Sequence, residues 1–320
     1  MFFGKQSIYV WSVLALAEKK RKHTRLWIQC AWTALTNGYA AGFVKGNIFK
    51  GPTKAFCVPG LNCYSCPGAL GACPLGALQA VLGESGNKLG FYVLGFLMMV
   101  GAVFGRFVCG WLCPFGLVQD LLYKIPFFKK RKNLPGDRWL KWMKYVILGL
   151  LVLVLPMFAV DFLGQGQPWF CKIICPAGTL MAGIPLLAQN ESLRAAAGNL
   201  FIWKVVLLTL IVVLSVWTYR PFCKYLCPLG AVYGVFNPIA FYRLKVDANL
   251  CVKCGACQRA CGMNIPVYAK PNSLDCIRCG DCMKACPTGA ITSTMTGLCR
   301  GKKTCESGTP AGTGERFGNK

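Results

Sequence analysis

The 320-residue sequence predicts a mainly α membrane protein, with about four transmembrane helices in two parallel repeats followed by a small α+β domain. Three observations lead there. Hydrophobic residues make up 55% of the chain at a mean hydropathy of +0.46. Lys and Arg outnumber Asp and Glu by 36 to 11 and gather between the apolar runs. Cysteine occurs 21 times, in recurring spacings, against the single His23. One histidine argues against bis-His haem sites and His-rich zinc or copper sites. A secreted disulfide scaffold would be short, and a disordered chain would be poor in apolar residues. The net charge of +25 raises nucleic acid as a partner. Basic loops between long apolar runs read instead as topology signals, so no nucleic-acid partner is expected.

A transmembrane helix needs about 20 mostly apolar residues. The candidates are Leu26 to Val44, Leu89 to Val108, Tyr145 to Leu163 and Leu200 to Thr218. The first is the most polar, with Gln29, Thr33, Thr36 and Asn37, and its competing reading is an amphipathic helix. In the fourth, Lys204 lies near the start, where its amine can snorkel to the headgroups. Ile8 to Ala17 is too short to cross and lacks a small-residue cleavage site, so it reads as interfacial. Basic residues concentrate before the first span and between Lys124 and Lys144. The positive-inside rule therefore sets both termini in the cytoplasm of a multi-pass inner-membrane protein, with anionic lipid as a partner. The expected divisions are a cytoplasmic segment 1–25, a transmembrane domain 26–245 with repeats at about 26–135 and 139–245, a compact domain 246–296, and a disordered tail 297–320.

The compact domain carries the most specific motif. CVKCGACQRAC and CIRCGDCMKACP each have the spacing C-x2-C-x2-C-x3-C. Such runs hold two [4Fe–4S] clusters, the fourth cysteine of each run ligating the other cluster. That assigns Cys251, Cys254, Cys257 and Cys286 to one cluster, and Cys276, Cys279, Cys282 and Cys261 to the second. Gly255 and Gly280 let the backbone approach closely. A zinc ribbon would use C-x2-C pairs with longer gaps. The domain is thus expected to be a bacterial-type two-[4Fe–4S] ferredoxin.

Three further motifs share the form C-x3-C-P-x-G: CGWLCPFG at Cys109 and Cys113, CKIICPAG at Cys171 and Cys175, and CKYLCPLG at Cys223 and Cys227. Cys57, Cys63, Cys66 and Cys73 precede them in another cysteine-rich loop. A buried cysteine is often only a small hydrophobe, but chance does not repeat the proline and glycine. Disulfides fit poorly, because two of the pairs face a reducing compartment. An internal repeat relates the pairs: 109 to 223 and 113 to 227 are both 114 residues, 63 to 171 is 108, and 66 to 175 is 109. Each C-x3-C pair offers two of the four thiolates that a cubane needs. An inner cluster would then take Cys109, Cys113, Cys223 and Cys227, and an outer cluster Cys63, Cys66, Cys171 and Cys175. Cys57 and Cys73 are alternative outer ligands, since Cys57, Cys63, Cys66 and Cys73 could hold a cluster alone. Proline after the second cysteine suits the first turn of a helix. Re-entrant or interfacial half-helices would then aim their positive ends at the clusters. Arg106 could add to that field or serve as a topology anchor. Cys30 reads as a core residue, and Cys299 and Cys305 have no partner motif.

The spans with C-x3-C-P motifs, followed by two four-cysteine runs, resemble the NapH/NosR-type membrane polyferredoxins over roughly Leu89 to Ile291. The resemblance implies an electron-transfer subunit of a redox system rather than a stand-alone enzyme. The extra CYSCPGALGACP and CKIICPAG motifs depart from that family's pattern. They put a specific nitrate or nitrous-oxide role in doubt and favour a complete wire across the bilayer. The leading expectation is a conduit holding four [4Fe–4S] clusters, between a cytoplasmic donor or acceptor (a ferredoxin or flavoprotein) and an extracytoplasmic redox protein. The alternatives are quinol–quinone exchange at an inner cluster, with Tyr, Trp or Asp120 serving the quinone, and a redox sensor or assembly factor. No general base, nucleophile or other catalytic residue is identified.

Overall fold

The computed structural model describes residues 24–83, 90–127, 130–159, 161 and 165–294. Ile8 to Ala17, the expected tail from Gly297, and Cys299 and Cys305 lie outside the described residues. Four helical segments run between two ends of the protein. Residues 24–36 begin where Arg25 Nε donates to the Gly110 carbonyl (3.0 Å) and end where the Thr36 carbonyl accepts from Leu70 N. Phe91–Phe104 begins beside Val81 and ends before Arg106. Asp137–Phe158 begins at the Asp137–Lys224 ion pair (2.8 Å) and ends with Pro156 against Gly166. Asn199–Trp217 begins close to Cys171, whose carbonyl accepts from Lys204 Nζ (3.3 Å), and ends before Arg220.

Two of these helices are long and apolar enough to cross a membrane: Asp137–Phe158 with 22 residues and Asn199–Trp217 with 19. At 1.5 Å per residue they reach roughly 33 and 28 Å, against a hydrocarbon core of about 30 Å. Little of either is buried. Trp142, Val146, Leu150, Leu153 and Met157 expose one face, and Ile202, Val206, Leu210 and Val213 the other. Apolar faces of this extent seek lipid or another apolar surface.

The other two expected spans are interrupted. The helix 24–36 stops at Asn37, whose side-chain amide donates to the Thr33 carbonyl (3.1 Å). The chain resumes as Ala40–Lys45, where Gly42 touches Pro67 too closely for any side chain. Phe91–Phe104 ends at Gly105, in the left-handed region at φ 52°. Cys30, expected in the core, is exposed on its helix; in a helix lying at the rim of the bundle, apolar character does not imply burial.

Packing is reciprocal between the two parts of the chain. Pro114–Lys124 lies against Asn199–Trp217, and Pro228–Phe236 lies against Phe91–Phe104. A buried ion cluster closes one end: Arg220 grips both carboxylate oxygens of Asp120, and Arg25 Nη2 adds a contact of 2.6 Å. Asp120, considered above for a quinone, is thereby committed to two arginines.

The C-terminal domain pairs strand β1 (Leu244–Val246) antiparallel with β2 (Ile291–Ser293), Lys245 opposite Thr292. Two short helices, Ala256–Ala260 and Asp281–Lys284, start at Gly255 (φ 69°) and Gly280 (φ 83°). The domain is bolted to the helices. Arg278 donates to the carbonyls of Phe104 (2.8 Å) and Asn237 (2.7 Å), and Asn237 Nδ2 donates back to Ser273 and Cys276 (both 2.9 Å). Gly110 packs directly on the Ile277 carbonyl oxygen, leaving no space for a Cβ.

Gly110→Ala is therefore expected to undock the C-terminal domain, seen as faster amide hydrogen exchange over residues 274–280. Gly95 has open space around its Cα, and Gly95→Ala should leave that exchange unchanged while stabilising its helix by about 0.5–1 kcal/mol.

Candidate metal centres

Four helices begin with Cys-Pro: Pro74–Leu82, Pro114–Lys124, Pro176–Gly178 with its continuation to Gln189, and Pro228–Phe236. The cysteines at their starts, Cys73, Cys113, Cys175 and Cys227, all have extended backbone. Proline costs nothing at the first helical position, where an N–H has no intrahelical acceptor. The glycine three residues after each cysteine turns its free N–H onto the sulfur, at 3.4 Å for Gly178 and 3.3 Å for Gly230. The N–H groups of Gly76 and Gly116 approach Cys73 and Cys113 from the same position. All four thiols thus sit at helix N-termini, where negative charge is favoured.

At one end Cys109, Cys113, Cys223 and Cys227 are buried together. Burial pushes the Cys113 and Cys223 thiols up to about 11, and repulsion among the four adds to it. Two wholly buried arginines cross over this group. Arg106 Nη2 donates to the Cys223 carbonyl (2.8 Å), and Arg220 Nη1 donates to the Cys109 carbonyl. Each arginine precedes its own cysteine by three residues and clamps the cysteine of the other pair.

At the other end Cys63, Cys73, Cys171 and Cys175 line one cavity of about 610 Å³, with Cys57 at its wall. Burial pushes Cys175 up to about 12, with repulsion from Cys63 and Cys73 behind it, and Cys171 feels Cys175, Cys73 and Cys63. Cys66 is not on this wall; its thiol faces Asn37 Oδ1 at 3.7 Å. The set expected from offsets of 108 and 109 residues has Cys66 in place of Cys73, and of these two Cys73 is the one that lines the cavity. The counterpart of Cys175 is Cys73, because both start a Cys-Pro-x-Gly helix, whereas Cys66 lies in a loop without one.

The two groups meet through one loop. The N–H of Leu61 faces the Cys113 sulfur and the next N–H, of Asn62, faces that of Cys73. Gly60 lies against Cys113 Cα, and Tyr233 Oη donates to the Pro59 carbonyl (3.1 Å). In the C-terminal domain, Cys251, Cys254, Cys257 and Cys286 line one small space, and Cys261, Cys276, Cys279 and Cys282 line a second. The crossing of the fourth cysteine between runs is thus present in the geometry. The second space lies one peptide from the Gly110–Ile277 contact, so it adjoins the Cys109 group.

Four sets of four thiols, backbone N–H groups on the sulfurs and glycines where side chains would intrude fit [4Fe–4S] groups. Among the described residues no three His, Cys, Asp or Glu side chains close to the geometry of a single metal ion. The sulfurs of three sets surround spaces rather than points. Sequence reasoning missed Arg220, Gln79 and Gln119. The repeated Arg-x-x-Cys and Cys-Pro-x-Gly-x-x-Gln spacings were visible signals for them.

Residues 71–92, 89–135, 146–191 and 200–246 match a family described as a 4Fe-4S binding domain, and residues 269–292 match a second family of the same description. An uncharacterised protein of Methanocaldococcus jannaschii is 33% identical over 54% of this chain and 66% of its own length. The putative electron transport protein YccM of Escherichia coli K12 is 24% identical over 53% of this chain and 45% of its own. The regulatory protein NosR of Pseudomonas aeruginosa is 28% identical over 50% of this chain and 20% of its own. The chain therefore spans less than two thirds of the length of each of these relatives. No solved structure matches it. Several 4Fe–4S binding domains in one chain imply multiple [4Fe–4S] clusters.

Thiol reactivity in the metal-free protein tests the C-terminal geometry. Burial pushes Cys282 up to about 12, helped by repulsion from Cys276 and Cys261. At Cys286 slight burial is outweighed by hydrogen bonds from Thr288 and nearby N–H groups, which hold the thiol below its ordinary value. Alkylation near pH 8 followed by peptide mapping should label Cys286 well before Cys282, because only the thiolate reacts.

Proposed function

We propose that this chain, which belongs to the NapH/NosR-type ferredoxin-like electron-transport proteins, relays electrons across a membrane through four [4Fe–4S] clusters. Those clusters supply the one-electron steps when bound. The protein's part is to hold them in line and keep water away. The carrying observation is contiguity. The two C-terminal sets exchange their fourth cysteines. The second set adjoins the inner set through Ile277 and Gly110. The inner set adjoins the outer one through consecutive N–H groups of Leu61 and Asn62.

In this reading the inner cluster takes Cys109, Cys113, Cys223 and Cys227, and the outer cluster takes Cys63, Cys73, Cys171 and Cys175. The basic loop Lys124 to Lys144 faces the cytoplasm together with both termini and the C-terminal domain. A ferredoxin or flavoprotein exchanges electrons with that domain, and a redox protein meets the outer end. With a hydrocarbon core of about 30 Å, intermediate stations are what make the crossing feasible. The outer cavity favours a second reading. Its 610 Å³ is walled by Tyr64, Tyr92, Lys54 and Lys204 as well as by thiols, which leaves room for a quinone beside the cluster.

Cys113→Ala and Cys227→Ala should each abolish the same EPR signal, leave the two ferredoxin signals intact, and reduce electron transfer across proteoliposomes to background. Different signals lost in the two variants, or undiminished transfer, contradicts the shared inner cluster. On the outer side Cys73→Ala should lose about four irons per chain, one cubane, while Cys66→Ala keeps them; the opposite result restores Cys66 as the ligand.

A further inference from the structure

Two glutamines occupy equivalent places that the relay does not itself require. Gln79 lies six residues after Cys73 in CPLGALQ, and Gln119 six residues after Cys113 in CPFGLVQ. Both are buried, at 0% and 1% exposure. Gln79 Nε2 lies 3.4 Å from the Cys171 sulfur, and Gln119 Nε2 lies 3.2 Å from the Cys223 sulfur. Each amide comes from the first part of the chain and reaches the first cysteine of a C-x3-C pair in the second part.

The amide orientations follow from their other partners. The Phe170 N–H needs an acceptor and finds Gln79 Oε1 at 3.0 Å, so Nε2 must turn toward the Leu75 carbonyl (3.2 Å) and the sulfur. Gln119 Nε2 likewise serves the Phe115 carbonyl (3.5 Å) and its sulfur. Gln119 Oε1 is buried with no partner among the described residues. Packing alone does not explain this, because a leucine would fill the helix face without burying an unpaired oxygen. The same position in the other two Cys-Pro helices holds Met181 and Tyr233, and the Tyr233 hydroxyl serves a carbonyl instead.

We infer that Gln79 and Gln119 are a matched pair of positioning residues that set the reduction potentials of the outer and inner clusters, each through one N–H···S hydrogen bond. The inference rests on the relay reading above. A donor to a ligating sulfur favours the more negative, reduced state and so raises the potential. With one such glutamine amide at each site the two potentials are raised together, which keeps electrons from being trapped between the sites.

The test is an EPR-monitored redox titration of anaerobically purified, full-length protein, with iron and sulfide measured on each sample. Gln119→Leu should lower the midpoint of the inner cluster alone, and Gln79→Leu that of the outer cluster alone. The expected size is about tenfold in electron-sharing equilibrium, or ~59 mV for one electron. The double variant should lower both, with iron unchanged. Where Leu reduces loading, Met of matching length serves as the second variant. Loaded variants with unmoved midpoints overturn the inference, as does loss of a cluster in both the Leu and Met forms with the other midpoints unmoved. A wild-type chain without iron or sulfide removes the relay reading itself, a result distinguishable from either.

Discussion

Gathering thiols inside apolar protein is the constraint on which the rest depends. Buried alone, thiolates repel one another and lose hydration, as the upward shifts of Cys113, Cys175 and Cys223 express. Only a cationic group at their centre, or a field of N–H groups around them, makes such clustering tolerable. The Cys-Pro-x-Gly turn supplies the second of these four times. Proline opens a helix without wasting a donor, and glycine lets its N–H close on the sulfur. Everything longer in the chain serves to bring these turns into pairs. Pro114–Lys124 packs on a helix of the second part, and Pro228–Phe236 packs on one of the first.

Buried charge braces the end that carries the C-terminal domain. Arg106 lies between the Cys223 carbonyl and the C-terminal domain, where Nη1 donates to the Leu274 carbonyl (3.0 Å) and reaches Asp275 (3.4 Å). Arg220 spans Cys109 and Asp120 in the same manner. Removing either carboxylate would strand a buried guanidinium, a loss of about 3–5 kcal/mol in comparable cases. Around the Cys109 group these arginines also provide fixed positive charge, which would favour the reduced state of a cluster held there. The outer group has Lys54 and Lys204 on the wall of an open cavity. The two groups of thiols therefore lie in different electrostatic surroundings.

Much of this was legible in the sequence, for physical reasons. The two C-x2-C-x2-C-x3-C runs fold by local turns, so their spacing already determines which sulfurs meet. The C-x3-C-P repeats, at equal offsets of 114, pointed to the four thiols Cys109, Cys113, Cys223 and Cys227 that lie buried near one another. The outer set was harder. Its loop holds four cysteines, and numerical offset favoured Cys66 where helix-start chemistry favours Cys73. Two of the expected spans run past a break in the helix, at Asn37 and Gly105. Arg220, Gln79 and Gln119 act on cysteines about 90 to 110 residues away, contacts of |i−j| 92 to 111 that no local window reveals.

The most direct measurement is quantitative iron and acid-labile sulfide on anaerobically purified chain, with Mössbauer spectroscopy of the iron. Four cubanes require roughly 16 irons and 16 sulfides per chain, all in [4Fe–4S] environments. About eight of each, confined to ferredoxin-like signals in fully loaded protein, would leave the cysteines outside the C-terminal domain without clusters and contradict the account. Zinc in place of iron would contradict it altogether.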